Sequence, residues 1–152
     1  MEMRRAALRL YLVTDPSLCA EPGLVETVQR AVQGGVTCVQ LRDKTTDTRE
    51  RAEQARALRA ALEGTGVPVI VNDDIEAAIL AEADGVHVGQ GDMRADEARA
   101  RIGPDRILGL SCETEAHVTA VERGIVDYLG IGTVFATATK GDHAPPIGLE
   151  GL

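Results

Sequence analysis

The chain has 152 residues and its aromatic content is one Phe, two Tyr and no Trp, so a single domain with a core of Val, Ile, Leu and Ala is expected. Its net charge of −8 argues against a nucleic-acid or anionic-membrane surface, since either needs a basic face. Cys19, Cys38 and Cys112 are odd in number and lack CxxC spacing, which fits reduced core residues of a cytosolic protein rather than a disulfide frame or a zinc site.

The start, MEMRRAALRLYLV, has a basic head, but Arg9 interrupts an apolar stretch too short for export. Elsewhere no apolar run approaches the roughly 18 residues of a membrane span, and the expected location is the cytoplasm. The first strand is predicted over 8–13 (LRLYLV), followed by a helix over 24–33 that stops at Gly34. The second strand, 36–41 (VTCVQL), runs into Gln40, Leu41, Arg42, Asp43 and Lys44. In the helix predicted over 48–63, Ala52, Ala55, Leu58, Ala61 and Leu62 share one face, and Gly64 ends it. The third strand, 67–71 (VPVIV), ends on Asn72, Asp73 and Asp74, before a helix over 75–82. The fourth, 85–88 (GVHV), ends on Gln90, Gly91 and Asp92, before a helix over 95–102 that stops at Gly103. The fifth, 106–110 (RILGL), leads to Ser111 and a helix over 115–122. The sixth, 127–131 (DYLGI), leads to GTVFATATKGD, with Thr137, Ala138, Thr139 and Lys140.

Six alternations of strand and helix imply a parallel sheet covered by helices, either an open doubly wound sheet or a (β/α)8 barrel. Neither GxGxxG nor GxxxxGK[ST] follows a strand, which weakens the nucleotide-binding open sheet. VQGGVTCVQL, AEADGVHVGQ and ERGIVDYLGI echo one helix-end, turn and strand and favour the barrel. The expectation is therefore a single TIM-barrel domain over 1–152 with about six of the eight units, the C-terminal two lacking.

In such a barrel, function resides at the C-terminal strand ends. Every strand end from the second to the sixth is polar or charged. The chain has fourteen arginines but only two lysines, and both lysines, Lys44 and Lys140, fall on these loops, where a compact ammonium suits phosphate oxygens. Asp73 and Asp92 end consecutive strands, and two carboxylates without sulfur or imidazole suit a hard cation such as Mg²⁺. Arg42, Lys44 and Lys140 around it would clamp a diphosphate. Structural readings compete at each position. Asp73 or Asp74 could cap the helix from 75, and Asp92 the helix from 95. Asn72 and Gln90 could hold loop backbone, Ser111 could serve a local turn, and Arg42 and Lys44 could be solvated with Asp43 pairing either. His87 reads as a packed strand residue rather than a base, His117 as a helix-surface residue, and His143 as a loop residue.

Taken together, QLRDK, VNDD, DGVHVGQGD, GLS and GTVFATATKGDHAPPIGLEGL resemble the thiamine-phosphate synthase family, from LYLVTD at 10–15 to the last residue. The resemblance implies a (β/α)8 barrel that joins 4-amino-5-hydroxymethyl-2-methylpyrimidine diphosphate to a (carboxy)thiazole phosphate, giving thiamine phosphate and diphosphate. It implies that Gln40, Leu41, Arg42, Asp43 and Lys44 hold the pyrimidine diphosphate, with Asn72, Ser111 and Lys140. Asp73 and Asp92 would bind Mg²⁺, and Thr137, Ala138 and Thr139 would meet the thiazole phosphate. Arg42, Lys44, Ser111 and Lys140 would carry catalysis by a dissociative route that needs no protein nucleophile. The chain departs from the family where a proline-rich loop reads ATATK, and two further units are expected after IGLEGL. The alternatives are a thiazole tautomerase-like isomerase of the same barrel, a non-catalytic phosphate-ligand binder, and an unrelated phosphosugar barrel enzyme.

Overall fold

β-Branched runs separated by amphipathic stretches place each strand beside its predecessor, because a helical crossover returns the chain to the same edge. In the computed structural model, which describes residues 5–136 and 145–152, this gives β1 (Tyr11–Val13), α1 (Leu24–Gln33), β2 (Cys38–Leu41), α2 (Thr48–Ala61), β3 (Val69–Asn72) and α3 (Ile75–Leu80). There follow β4 (Gly85–Val88), α4 (Ala95–Ile102), β5 (Ile107–Cys112), α5 (Glu115–Thr119) and β6 (Tyr128–Ile131). All six strands form one sheet in the order β1-β2-β3-β4-β5-β6, and every pairing is parallel. Among the described residues no helix is long and apolar enough to cross a membrane.

Period-two alternation splits each strand between two layers. Val39, Leu41, Val69, Val71, Val86, Val88, Leu108 and Leu110 join the core against the helices, including Ala52, Ala55 and Leu58 of α2. Cys38, Ile70, Ile107 and Tyr128 form a second, inner cluster, with Tyr11 packed against it. The inner side chains of the first and last strands meet: the Tyr11 and Tyr128 hydroxyls are 2.6 Å apart and their ring centroids 5.8 Å apart. A flat six-stranded sheet would hold these rings far apart, since neighbouring strands are spaced by about 4.8 Å. The sheet therefore curls into a half-barrel.

That curl crowds the inner layer, and two glycines relieve it. A Cβ at Gly85 would collide with the main-chain oxygen and side chain of Ile107. One at Gly109 would collide with the Tyr128 ring and with His87.

The elements differ from the sequence expectation at their ends. Arg5–Leu8 forms a 3₁₀ turn, and β1 begins only at Tyr11. The Leu10 N–H is taken by Thr37 Oγ1 and the Leu10 carbonyl by the Thr37 N–H, so the chain is anchored before the strand starts. α3 stops at Leu80, with Ala81 as its C-cap and Glu82 at φ 52°. α5 stops at Thr119, and β5 extends through Ser111 to Cys112. Cys19, Cys38 and Cys112 are buried free thiols, as expected of core residues.

Gly85→Ala should destabilise the fold by about 1–3 kcal/mol, because a methyl group there is driven into backbone that cannot swing aside. Urea unfolding of the variant against the parent chain measures this.

Candidate active site

A cavity of about 700 Å³ opens at the C-terminal ends of the strands. Gln40, Arg42 and Lys44 line it from β2 and the loop beyond, Asn72 and Asp73 from the end of β3, Asp92 from the loop after β4, and Ser111 from β5. Seven residues singled out in the sequence thus converge on one space. Leu41 and Asp43 do not line it, because alternation turns them away from the inner residue Gln40. The Leu41 side chain is buried among the helices, and Asp43 is buried within its own loop. Thr137, Ala138, Thr139 and Lys140 lie outside the described residues, as does His143. A larger concavity of about 850 Å³ lies over α1 and α2, on the helical layer and away from the strand ends.

The acidic pair of the cavity is Asp73 and Asp92. Asp73 has φ 61°, the left-handed region that Asp and Asn tolerate better than most residues, and its N–H donates to the His87 carbonyl at 2.8 Å. It does not cap α3. That task falls to Asp74, whose Oδ1 accepts from the Ala77 N–H at 2.8 Å. Asp92 likewise leaves α4 uncapped, and its Oδ2 accepts from the Gly89 N–H at 2.7 Å. Burial, followed by contact with the neighbouring Asp92 carboxylate, pushes the Asp73 carboxyl up to about 6, against opposing pulls from Lys44 and Asn72. Two carboxylates are held together where one of them prefers to keep a proton. Among the described residues, no three His, Cys, Asp or Glu side chains are grouped to hold a metal ion.

The loop that carries Lys44 is built around Asp43 and Arg51. Asp43 Oδ1 accepts from the Thr45 N–H at 2.8 Å and the Thr45 hydroxyl at 2.7 Å, and Oδ2 accepts from Gln54 Nε2 at 3.1 Å. Burial opposes ionisation there, but these donors, together with the Thr46 N–H, bring the Asp43 carboxyl down to about 2. Arg51 donates to the Asp43 carbonyl at 2.9 Å and the Thr46 carbonyl at 2.6 Å. It also forms an ion pair with the Asp74 carboxylate. One guanidinium therefore ties the Lys44 loop to the turn that holds Asp73. Sequence reasoning passed over Arg51, one arginine among four in α2. Its place in the first turn after a charged strand-end loop was the available signal.

The inner wall holds a second group that the sequence did not reveal. His87 is buried, as read from the strand pattern, but it also lines the cavity beside Tyr11 and Tyr128. Its Nδ1 lies 2.9 Å from the Tyr128 hydroxyl and its Nε2 lies 2.9 Å from Ser111 Oγ. Gln40 Nε2 donates to the Tyr11 hydroxyl at 2.9 Å, and Gln90 Nε2 donates to the Ser111 carbonyl at 2.6 Å. His117, on α5, accepts at Nδ1 from the Glu113 N–H at 3.2 Å.

The family model described as thiamine monophosphate synthase matches residues 10–152. The chain belongs to the thiamine monophosphate synthase family. It is 54% identical over 141 residues to a thiamine-phosphate synthase of Xanthobacter autotrophicus, covering 93% of this chain and 67% of that one. A thiamine-phosphate synthase of a Psychrobacter species is 50% identical over 149 residues, covering 96% and 70%. The solved structure of a thiamine phosphate pyrophosphorylase from Pyrococcus furiosus superposes with a TM-score of 0.84 at 37% identity, covering 97% of this chain and 68% of that one. The thiamine monophosphate synthase match takes in all six strands and, with the exception of Leu8, every described residue that lines the cavity.

Two outcomes are expected. A carboxyl with a raised folded-state value favours the folded state at low pH, and that advantage is lost as pH rises from the usual Asp value of about 3.9 to about 6. Asp92→Asn should bring Asp73 back toward its ordinary range and flatten this loss, as read from urea stability at pH 4 and pH 7 in variant and parent. Arg51→Ala, which strands the mostly buried Asp74 carboxylate, should cost about 3–5 kcal/mol in the same measurement.

Proposed function

We propose that the chain acts as a thiamine-phosphate synthase, a transferase that joins the hydroxymethylpyrimidine diphosphate to a thiazole phosphate and releases diphosphate. The observation that carries the reading is the single cavity in which Arg42 and Lys44 face the Asp73–Asp92 pair, in a chain of that family. A leaving diphosphate needs concentrated positive charge, and the chain's net charge of −8 leaves Arg42 and Lys44, in the loop after β2, to supply it. Gln40, Arg42 and Lys44 bind the diphosphate, and Asn72 and Ser111 contact the same substrate. Thr137, Ala138, Thr139 and Lys140 are assigned by resemblance alone, the threonines and alanine to the thiazole phosphate and Lys140 to the diphosphate. Leu41, at the end of β2, and Asp43, in the loop after it, contribute through their backbone.

Asp73 and Asp92 are suited to Mg²⁺. Two carboxylates in contact, one pushed up to about 6, form an acidic donor pair that a hard divalent cation relieves. Bound there, Mg²⁺ supplies positive charge beside the departing diphosphate. Arg42 and Lys44 orient that diphosphate, and the Ser111 hydroxyl donates to the substrate. With no nucleophile required from the chain, ionisation to a pyrimidine-methyl cation followed by attack of the thiazole nitrogen fits groups that position and stabilise charge. The six units belong, on this reading, to a single (β/α)8 domain, its seventh and eighth units not among residues 1–152. Free buried thiols support a cytoplasmic location.

Calorimetric titration with the pyrimidine diphosphate should give tight binding in the presence of Mg²⁺ and little in its absence. Failure of a demonstrably folded chain to bind overturns the reading. Arg42→Ala should weaken that binding by about 1.5–3 kcal/mol, the worth of a charge-assisted contact, and a change below about twofold in affinity removes Arg42 from the site.

A further inference from the structure

Five polar side chains from five strands form a continuous chain across the cavity wall. Gln40 of β2 donates from Nε2 to Tyr11 of β1, the Tyr11 and Tyr128 hydroxyls are 2.6 Å apart, and Tyr128 of β6 reaches His87 Nδ1 on β4. His87 Nε2 reaches Ser111 Oγ on β5. The chain exists because Gly109 has no side chain, since a Cβ there would strike both Tyr128 and His87.

The first member sets the direction of the hydrogens. An amide nitrogen can only donate, so the Tyr11 oxygen accepts and its own hydrogen passes to Tyr128. Burial disfavours ionisation of both phenols, so both hydrogens are retained, and Tyr128 gives its hydrogen to His87 Nδ1. A neutral imidazole that accepts at Nδ1 carries its hydrogen on Nε2, which then donates to Ser111 Oγ. The serine hydrogen is left for an acceptor in the cavity. In the reverse order, Tyr11 would accept from both Gln40 and Tyr128. Its hydrogen would then fall to the Cys38 sulfur beside it, a weak acceptor.

We propose that Gln40, Tyr11, Tyr128 and His87 form a one-way hydrogen-bond relay that fixes the Ser111 hydroxyl as a donor to an anionic acceptor on the substrate. His87, Tyr128 and Tyr11 are positioning residues, and Ser111 makes the contact. The relay itself follows from the geometry. The identity of the acceptor as a diphosphate oxygen rests on the function proposed above.

The hydrogen order is read without any ligand, from ¹⁵N NMR of the histidine-labelled chain, with the His87 signals assigned by their loss in His87→Gln. The neutral Nε2–H tautomer is expected, with a shift toward Nδ1–H in Tyr128→Phe. An Nδ1–H tautomer in the parent chain overturns the relay. The consequence for the ligand is read by calorimetry with the pyrimidine diphosphate and Mg²⁺. Tyr128→Phe, and Tyr11→Phe two steps further from Ser111, should each lose affinity on the order of tenfold. The double variant Tyr128→Phe/Ser111→Ala should bind no worse than Ser111→Ala alone. Losses that multiply in the double variant, or parent-like binding by both Phe variants, overturn the proposal. Absence of binding by the folded parent chain overturns the diphosphate as acceptor, and the tautomer measurement still decides the relay.

Discussion

Space inside the curled sheet is the constraint on which the rest depends. Six parallel strands in register direct alternate residues into one shared interior, and each level can hold only a few large side chains. Tyr11 and Tyr128 take that room near the seam where the first and last strands approach. The neighbouring strands yield it by presenting Gly85 and Gly109. Ile70, Ile107 and Cys38 fill what remains, and the polar groups one level higher open onto the cavity. Packing below and chemistry above are consecutive layers of one alternation.

Much of this was legible in the sequence, for an identifiable reason. Strand–helix alternation and polar strand ends are local signals, and so Gln40, Arg42, Lys44, Asn72, Asp73, Asp92 and Ser111 stand out in the sequence and do gather at one cavity. The Tyr11–Tyr128 contact was not legible, because 117 residues separate its partners and it depends on how far the sheet curls. Arg51 was missed because its role depends on two loops it does not belong to. Leu41 and Asp43 belong to the same QLRDK string, yet their side chains do not line the cavity. A motif read as a string treats its letters alike, whereas a strand sends neighbouring residues to opposite sides. The capping alternatives were resolved by backbone conformation, with φ 61° at Asp73 and an extended conformation at Asp74.

The electrostatics of the site also reflect a division of labour. The chain carries a net charge of −8, yet Arg42 and Lys44 both line the cavity, on the loop after β2 that Asp43 and Arg51 hold in shape. Arg51 is spent on carbonyls and one carboxylate. The arginine that shapes the loop is therefore a different residue from the cations that face the cavity.

The left-handed backbone at Asp73 limits what can replace that residue. Glu would keep the carboxylate but bring a longer side chain into a conformation it rarely adopts. Gly would relax the backbone and remove the acid. Asn shares the tolerance of Asp for this region and removes only the charge. Shape and charge are thus specified together at one position, so this carboxylate cannot be exchanged for the other acidic amino acid without disturbing the turn that presents it.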